Sequence, residues 1–98
     1  MVTVGFLATL TAKPGKAEEL AEFLRGALPL AQAEADTTAW FAIQIDANTF
    51  GIFDVFPHAE GQQAHINGPI AAALMGKADE LLSSPPDIKP IDVLAAKL

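Results

Sequence analysis

Phe50-Gly51-Ile52-Phe53-Asp54-Val55-Phe56-Pro57 is the most informative stretch of this chain. Read with the two-residue period of a β-strand, it sets Phe50, Ile52, Asp54 and Phe56 on one face and Gly51, Phe53 and Val55 on the other. Both faces are largely apolar, so each asks for a cover. Asp54 stands alone among aromatic and branched neighbours, where an unpaired charge is costly. Pro57 stops the strand because it has no amide hydrogen for a ladder.

Working backward, Thr37 to Asp46 alternates Trp40, Ala42, Gln44 and Asp46 against Phe41, Ile43 and Ile45, which predicts the strand before it. Asp46-Ala47-Asn48-Thr49 is short enough to return the chain antiparallel, with Asn48 the residue expected to tolerate left-handed backbone. Val2 to Thr11 is uncharged and rich in β-branched residues, so it predicts a first strand. Lys13-Pro14-Gly15-Lys16 punctuates. Beyond it, Leu20, Phe23, Leu24, Ala27, Leu28 and Ala31 recur at helical spacing, opposite Glu18, Glu22, Arg25 and Gln32. Glu18 and Glu19 suit the first turn of that helix, and Pro29 is expected to kink or end it.

Working forward, His58 to Ile66 predicts a short helix weakened by Gly61 and closed by Asn67-Gly68. Pro69 then opens a second helical segment whose stripe is Ala71, Leu74, Met75, Ala78, Leu81 and Leu82. Ser83-Ser84-Pro85-Pro86 is a loop, and Asp87 to Ala95 reads as a last strand in which Pro90 suits an edge. The order strand, helix, strand, strand, helix, strand implies one α+β domain over residues 1–98. Its expected form is a ferredoxin-like βαββαβ sandwich with an antiparallel sheet and both helices on one face. The other, apolar face would lie bare, and two such faces packed together would make a dimeric α+β barrel.

Composition agrees with that surplus. The chain has 98 residues, 51% of them hydrophobic, and no cysteine; its mean hydropathy is +0.31. No apolar run approaches the ~20 residues of a membrane span, so the excess points to self-association, a homodimer, and not to a membrane. Without cysteine there is no disulfide, no thiolate metal site and no thiol nucleophile, which is compatible with a cytoplasmic setting. The N-terminus has no basic segment and cleavage-like site of a secretory signal. A net charge of −6 with six scattered Lys and Arg lacks the footprint of a nucleic-acid binder. The glycines are dispersed and form no phosphate loop. His58 and His65 lie seven apart with no carboxylate completing a pattern, so no metal site is expected.

Three segments together resemble the antibiotic biosynthesis monooxygenase family, small dimeric α+β barrels, over nearly the whole chain. They are Lys13-Pro14-Gly15-Lys16 leading into Glu18-Glu19-Leu20, then Phe53-Asp54-Val55-Phe56, then Ala64-His65-Ile66. The resemblance implies a pocket between helices and sheet and, for some members, cofactor-free oxygenation of anthrone- or quinol-like aromatics. Haem-degrading relatives use an Asn on the first strand, a Trp ending the third, and the helix His. Here Val2 to Thr11 holds no Asn and Phe56 stands in place of Trp, so haem degradation is disfavoured and no cofactor is expected. No tyrosine is present as a phenolic donor.

The candidate catalytic residues are His65 and Asp54. An imidazole titrates near neutral pH and suits proton transfer or ligation; the plain alternative is a helix histidine bonded to a neighbour such as Gln62. A carboxylate among Ile52, Phe53, Val55 and Phe56 is a usable base if no donor compensates its charge, or else a structural partner of Lys89, Arg25 or an interface donor. His58, at the helix entrance, reads as a surface or capping residue. Trp40, Phe56, Phe6 and Met75 are candidates to bind a small aromatic or apolar molecule, although aromatic and Met stripes also serve as core. Two functions fit: a cofactor-independent monooxygenase, or a non-catalytic dimeric module that binds an apolar small molecule.

Overall fold

A computed structural model describes all residues, 1–98. Its elements are β1 (Val4–Thr11), α1 (Ala17–Gly26), α2 (Leu28–Gln32), β2 (Ala39–Gln44), β3 (Thr49–Phe56), α3 (Ala59–Ile66), α4 (Pro69–Leu81) and β4 (Asp87–Asp92). The four strands form one antiparallel sheet in the order β2-β3-β1-β4. This is the expected ferredoxin-like α+β arrangement. β1 and β3 are central, and β4 is an edge, so Pro90 removes no ladder donor that a further strand would need. No helix is long and apolar enough to cross a membrane.

The alternation in β3 has the expected consequence. Phe50, Ile52, Asp54 and Phe56 are all buried under the helices. Across the ladder, Phe6 faces Asp54, Ala8 faces Ile52 and Leu10 faces Phe50, so β1 contributes the same side. Leu20 and Leu24 of α1 and Leu74 and Leu81 of α4 close over these residues to make the main core. Gly51, Phe53 and Val55 turn the other way, as do Leu7, Phe41 and Ile43, which are exposed. The Phe41 and Phe53 rings stack there at 6.4 Å.

Three local readings differ. The first helical pattern divides at Ala27, and Pro29 lies in the first turn of α2 instead of ending the helix, because its missing amide hydrogen has no helical partner there. The turn after β2 needs no left-handed Asn48: the Asp46 side chain accepts the Asn48 amide at 3.0 Å, and Gly15 alone has a positive φ, 78°. β4 ends at Asp92, short of Ala95.

α3 is held unusually for a core-facing helix. Its buried residues are Gly61, Gln62 and His65, with no large aliphatic among them. Gln62 Nε2 donates to the Gly5 carbonyl at 2.8 Å, tying the helix to β1. Gly61 lets α3 approach the α2–β2 connection: a Cβ there would stand 2.9 Å from the Asp36 Cβ. Gly26, at the end of α1, has nothing within 4 Å of its would-be Cβ. Gly61→Ala should therefore destabilise by about 1–3 kcal/mol through overpacking, whereas Gly26→Ala should stabilise by about 0.4–1 kcal/mol through the unfolded chain. Urea unfolding of the two variants beside the parent checks both signs.

Candidate functional site

The helix-facing side of the sheet does not fill completely. A cavity of about 240 Å³ lies between it and the α3–α4 pair. Phe6, Ala8, Ile52, Asp54 and Ile88 form its floor; His65, Ile66, Ile70, Ala71, Leu74 and Met75 form its roof. Nine of the eleven lining residues are hydrophobic, so its polar chemistry is confined to Asp54 and His65. Met75, 60% exposed, marks the opening to solvent.

Asp54 and His65 are bonded to each other. Asp54 Oδ2 lies 2.9 Å from His65 Nε2, and its Oδ1 accepts the Phe6 amide at 3.2 Å. The carboxylate is 1% exposed and the imidazole 7%. A buried carboxylate must find donors, and here a backbone amide and an imidazole supply them. Neither Lys89 nor Arg25 does: they pair with Asp87 and Glu22.

The other ring nitrogen meets a residue that sequence reasoning missed. Glu34, on the α2–β2 connection, places Oε1 2.7 Å from His65 Nδ1 and is 17% exposed. The same oxygen accepts the Thr37 hydroxyl at 2.7 Å, while Oε2 is buried without a partner. Gly68, at the helix junction, leaves room for the α3 carbonyls, since a Cβ there would stand 3.1 Å from the Ala64 oxygen and 3.2 Å from the His65 oxygen. Burial works against a charge on His65, but the hydrogen bonds its ring donates to Asp54 and Glu34 outweigh it and raise the imidazole above its usual value. With a carboxylate oxygen at each ring nitrogen, it is the imidazolium form that donates an N–H to both. The two carboxylates stand at opposite nitrogens, and no group of three His, Cys, Asp or Glu converges to hold a metal.

The expected binding residues divide. Phe6 and Met75 line the cavity. Phe56 lies outside the lining and is fully buried, its ring 5.3 Å from the His65 ring and 6.1 Å from Phe6, so it packs against the imidazole. Trp40, paired in register with Asp54, also lies outside the lining; it packs on the core clusters with its ring N–H buried and unpartnered. His58 is an exposed N-cap of α3 whose side chain makes no cap bond.

Comparison with solved structures places the fold. The NE2512 protein of unknown function from Nitrosomonas europaea is 55% identical, with 100% of this chain and 95% of that chain covered and a TM-score of 0.98. A second structure from that organism, provisionally named an antibiotic biosynthesis monooxygenase, is 14% identical at TM-score 0.82, covering 94% of this chain and 90% of its own. The chain belongs to one family with NE2512 and has the antibiotic biosynthesis monooxygenase fold. PA3566 from Pseudomonas aeruginosa is 25% identical at TM-score 0.82, with 97% of each chain covered. No family model matches the sequence, and no curated protein matches it.

The raised imidazole couples this site to stability. Because the folded state binds the proton more tightly than the unfolded chain, the contribution is complete below about pH 6.5 and is lost as pH rises through the folded value. Thermal melts should show a midpoint falling with rising pH in that window, and His65→Gln should lack that component of the slope.

Proposed function

We propose that the chain is a cofactor-independent monooxygenase of a small aromatic, quinol- or anthrone-like substrate. The observation that carries this reading is the one polar pair in an apolar cavity, Asp54 bonded to His65. A substrate seated there has one place to put an acidic hydrogen. Both His65 nitrogens are engaged, so Asp54 is the better candidate to receive the proton: each of its oxygens keeps acceptor capacity beyond the Phe6 amide and the imidazole. His65 then holds the carboxylate in place and moderates its charge.

For an anthrone-like methylene the sequence balances as follows. Asp54 takes a C–H proton; the resulting carbanion passes one electron to O₂; substrate radical and superoxide combine in a C–O bond. The peroxide regains a proton, the second methylene hydrogen leaves as a proton, the O–O bond breaks, and a ketone and water result. O₂ is the oxidant throughout. The protein supplies deprotonation, orientation and exclusion of water. An apolar cavity of about 150 Å³ takes benzene, and the larger cavity here, open to solvent beside Met75, takes a larger aromatic. The provisional name of the 14% identical Nitrosomonas structure agrees with this reading.

The strongly apolar lining also favours a second reading, a non-catalytic binder of an apolar small molecule. In either case we infer a homodimer, since Leu7, Phe41 and Ile43 leave an apolar sheet face uncovered.

Quinone formation and O₂ uptake on a panel of quinols should fall by about 10²–10⁴-fold in Asp54→Asn, with a smaller loss in His65→Ala. Turnover unchanged in both variants overturns these roles, and ligand-induced thermal stabilisation without O₂ uptake favours the binder. Sedimentation at micromolar concentration should give a dimer, and Phe41→Glu a monomer.

A further inference from the structure

Glu34 touches the imidazole of the cavity without lining the cavity itself. A neutral imidazole has one N–H and one lone pair, so it can satisfy only one of its two carboxylates; an imidazolium satisfies both. The charge count is then simple. Asp54 with His65 is a neutral ion pair, and Glu34 makes the cluster carry one net negative charge.

No Lys or Arg forms an ion pair with Asp54 or Glu34. Lys16, Arg25, Lys77 and Lys89 pair with Glu19, Glu22, Glu80 and Asp87, and Lys13 donates to the Asp79 carbonyl. Around the ring, β1 presents Phe6 and β3 presents Phe56 and Asp54. Gln62 of α3 is committed to the Gly5 carbonyl, and the α2–β2 connection presents Glu34 with Thr37. Glu34 Oε2 has no donor, so His65 and Thr37 alone compensate that carboxylate.

We propose that Glu34 is a positioning residue that leaves the Asp54–His65 pair with one net negative charge, so that the cavity accepts a proton from a neutral, weakly acidic aromatic and rejects aromatic anions. Taking a proton then moves one negative charge from the cluster to the substrate and adds none. Without Glu34 the same step would leave a positive cluster beside a substrate anion, two new buried charges, which is the costlier direction in a poorly screened interior. The proposal deepens the monooxygenase reading and rests on it for the fate of the proton, but its consequences for ionisation and ligand choice are measurable without turnover.

The test uses the full chain, its Glu34→Gln and Glu34→Asp variants, and two probes of matched shape, 1-naphthol and 1-naphthoate. Gln keeps an acceptor for Nδ1–H and removes the charge; Asp keeps the charge. By NMR, the His65 titration midpoint should fall in Glu34→Gln and stay nearer the parent in Glu34→Asp. The parent should bind 1-naphthol at least tenfold tighter than 1-naphthoate, and Glu34→Gln should narrow that preference at least tenfold. A midpoint unmoved by Glu34→Gln, equal shifts in both variants, or a parent that binds neither probe or both alike would overturn the proposal. If ionisation and preference shift as stated while the parent consumes no O₂ with any quinol, the oxygenase reading falls and the role of Glu34 stands.

Discussion

A single imidazole clasped at both nitrogens joins three separate parts of this chain. His65 rides on α3, Asp54 on the central strand β3, and Glu34 on the connection between α2 and β2. α3 buries no large aliphatic residue of its own, so its position depends on these bonds and on Gln62 to a degree that α1 and α4, with their buried leucines, do not share. The cavity lies between the sheet and the α3–α4 pair, with α3 held by polar contacts and α4 by buried Ile70, Leu74 and Leu81. Removing the clasp would therefore alter the cavity and the charge within it together.

The fold was legible because its strands carry the period-two signal twice over. β3 alternates with apolar residues on both faces, and β1 repeats that pattern in a register that sets Phe6 opposite Asp54 and Leu10 opposite Phe50. The position of Pro90 on an edge followed from chemistry alone, as did the entry of α4 at Pro69. The break at Ala27 did not, because a proline serves equally as a helix stop and as a first-turn residue. Asn48 was misjudged because a side-chain acceptor on Asp46 shaped the turn without unusual backbone.

The site was half legible. Asp54 drew notice as the one carboxylate in an apolar strand, and His65 through its place on the following helix; the structure adds that they touch. Glu34 could not be found the same way. It lies 31 residues from His65 on an irregular connection, where an acidic residue reads as ordinary solvated surface. The sole local sign was Thr37 three residues on, whose hydroxyl does bond it. Gly61 looked like a weakness in a short helix, yet it is the opening through which the connection reaches α3. Trp40 was readable two ways, as a ligand stacker or as a core anchor, and it packs against the core clusters outside the cavity lining.

These placements change what His65 can be asked to do. A histidine acting as a free base needs an unprotonated nitrogen directed at its substrate, and both nitrogens here are directed at carboxylates. On the proposed oxygenase reading the base would be the carboxylate that faces the cavity, Asp54, since Glu34 is not part of the lining. A carboxylate bonded to an imidazolium is ordinarily a poor base, because the cation already stabilises its charge. Here that cation is shared, with Glu34 bonded to it from the far side of the ring. The two acids and the imidazole are best regarded as one coupled unit, with Asp54 in the cavity and Glu34 on a connection that Gly61 lets approach α3.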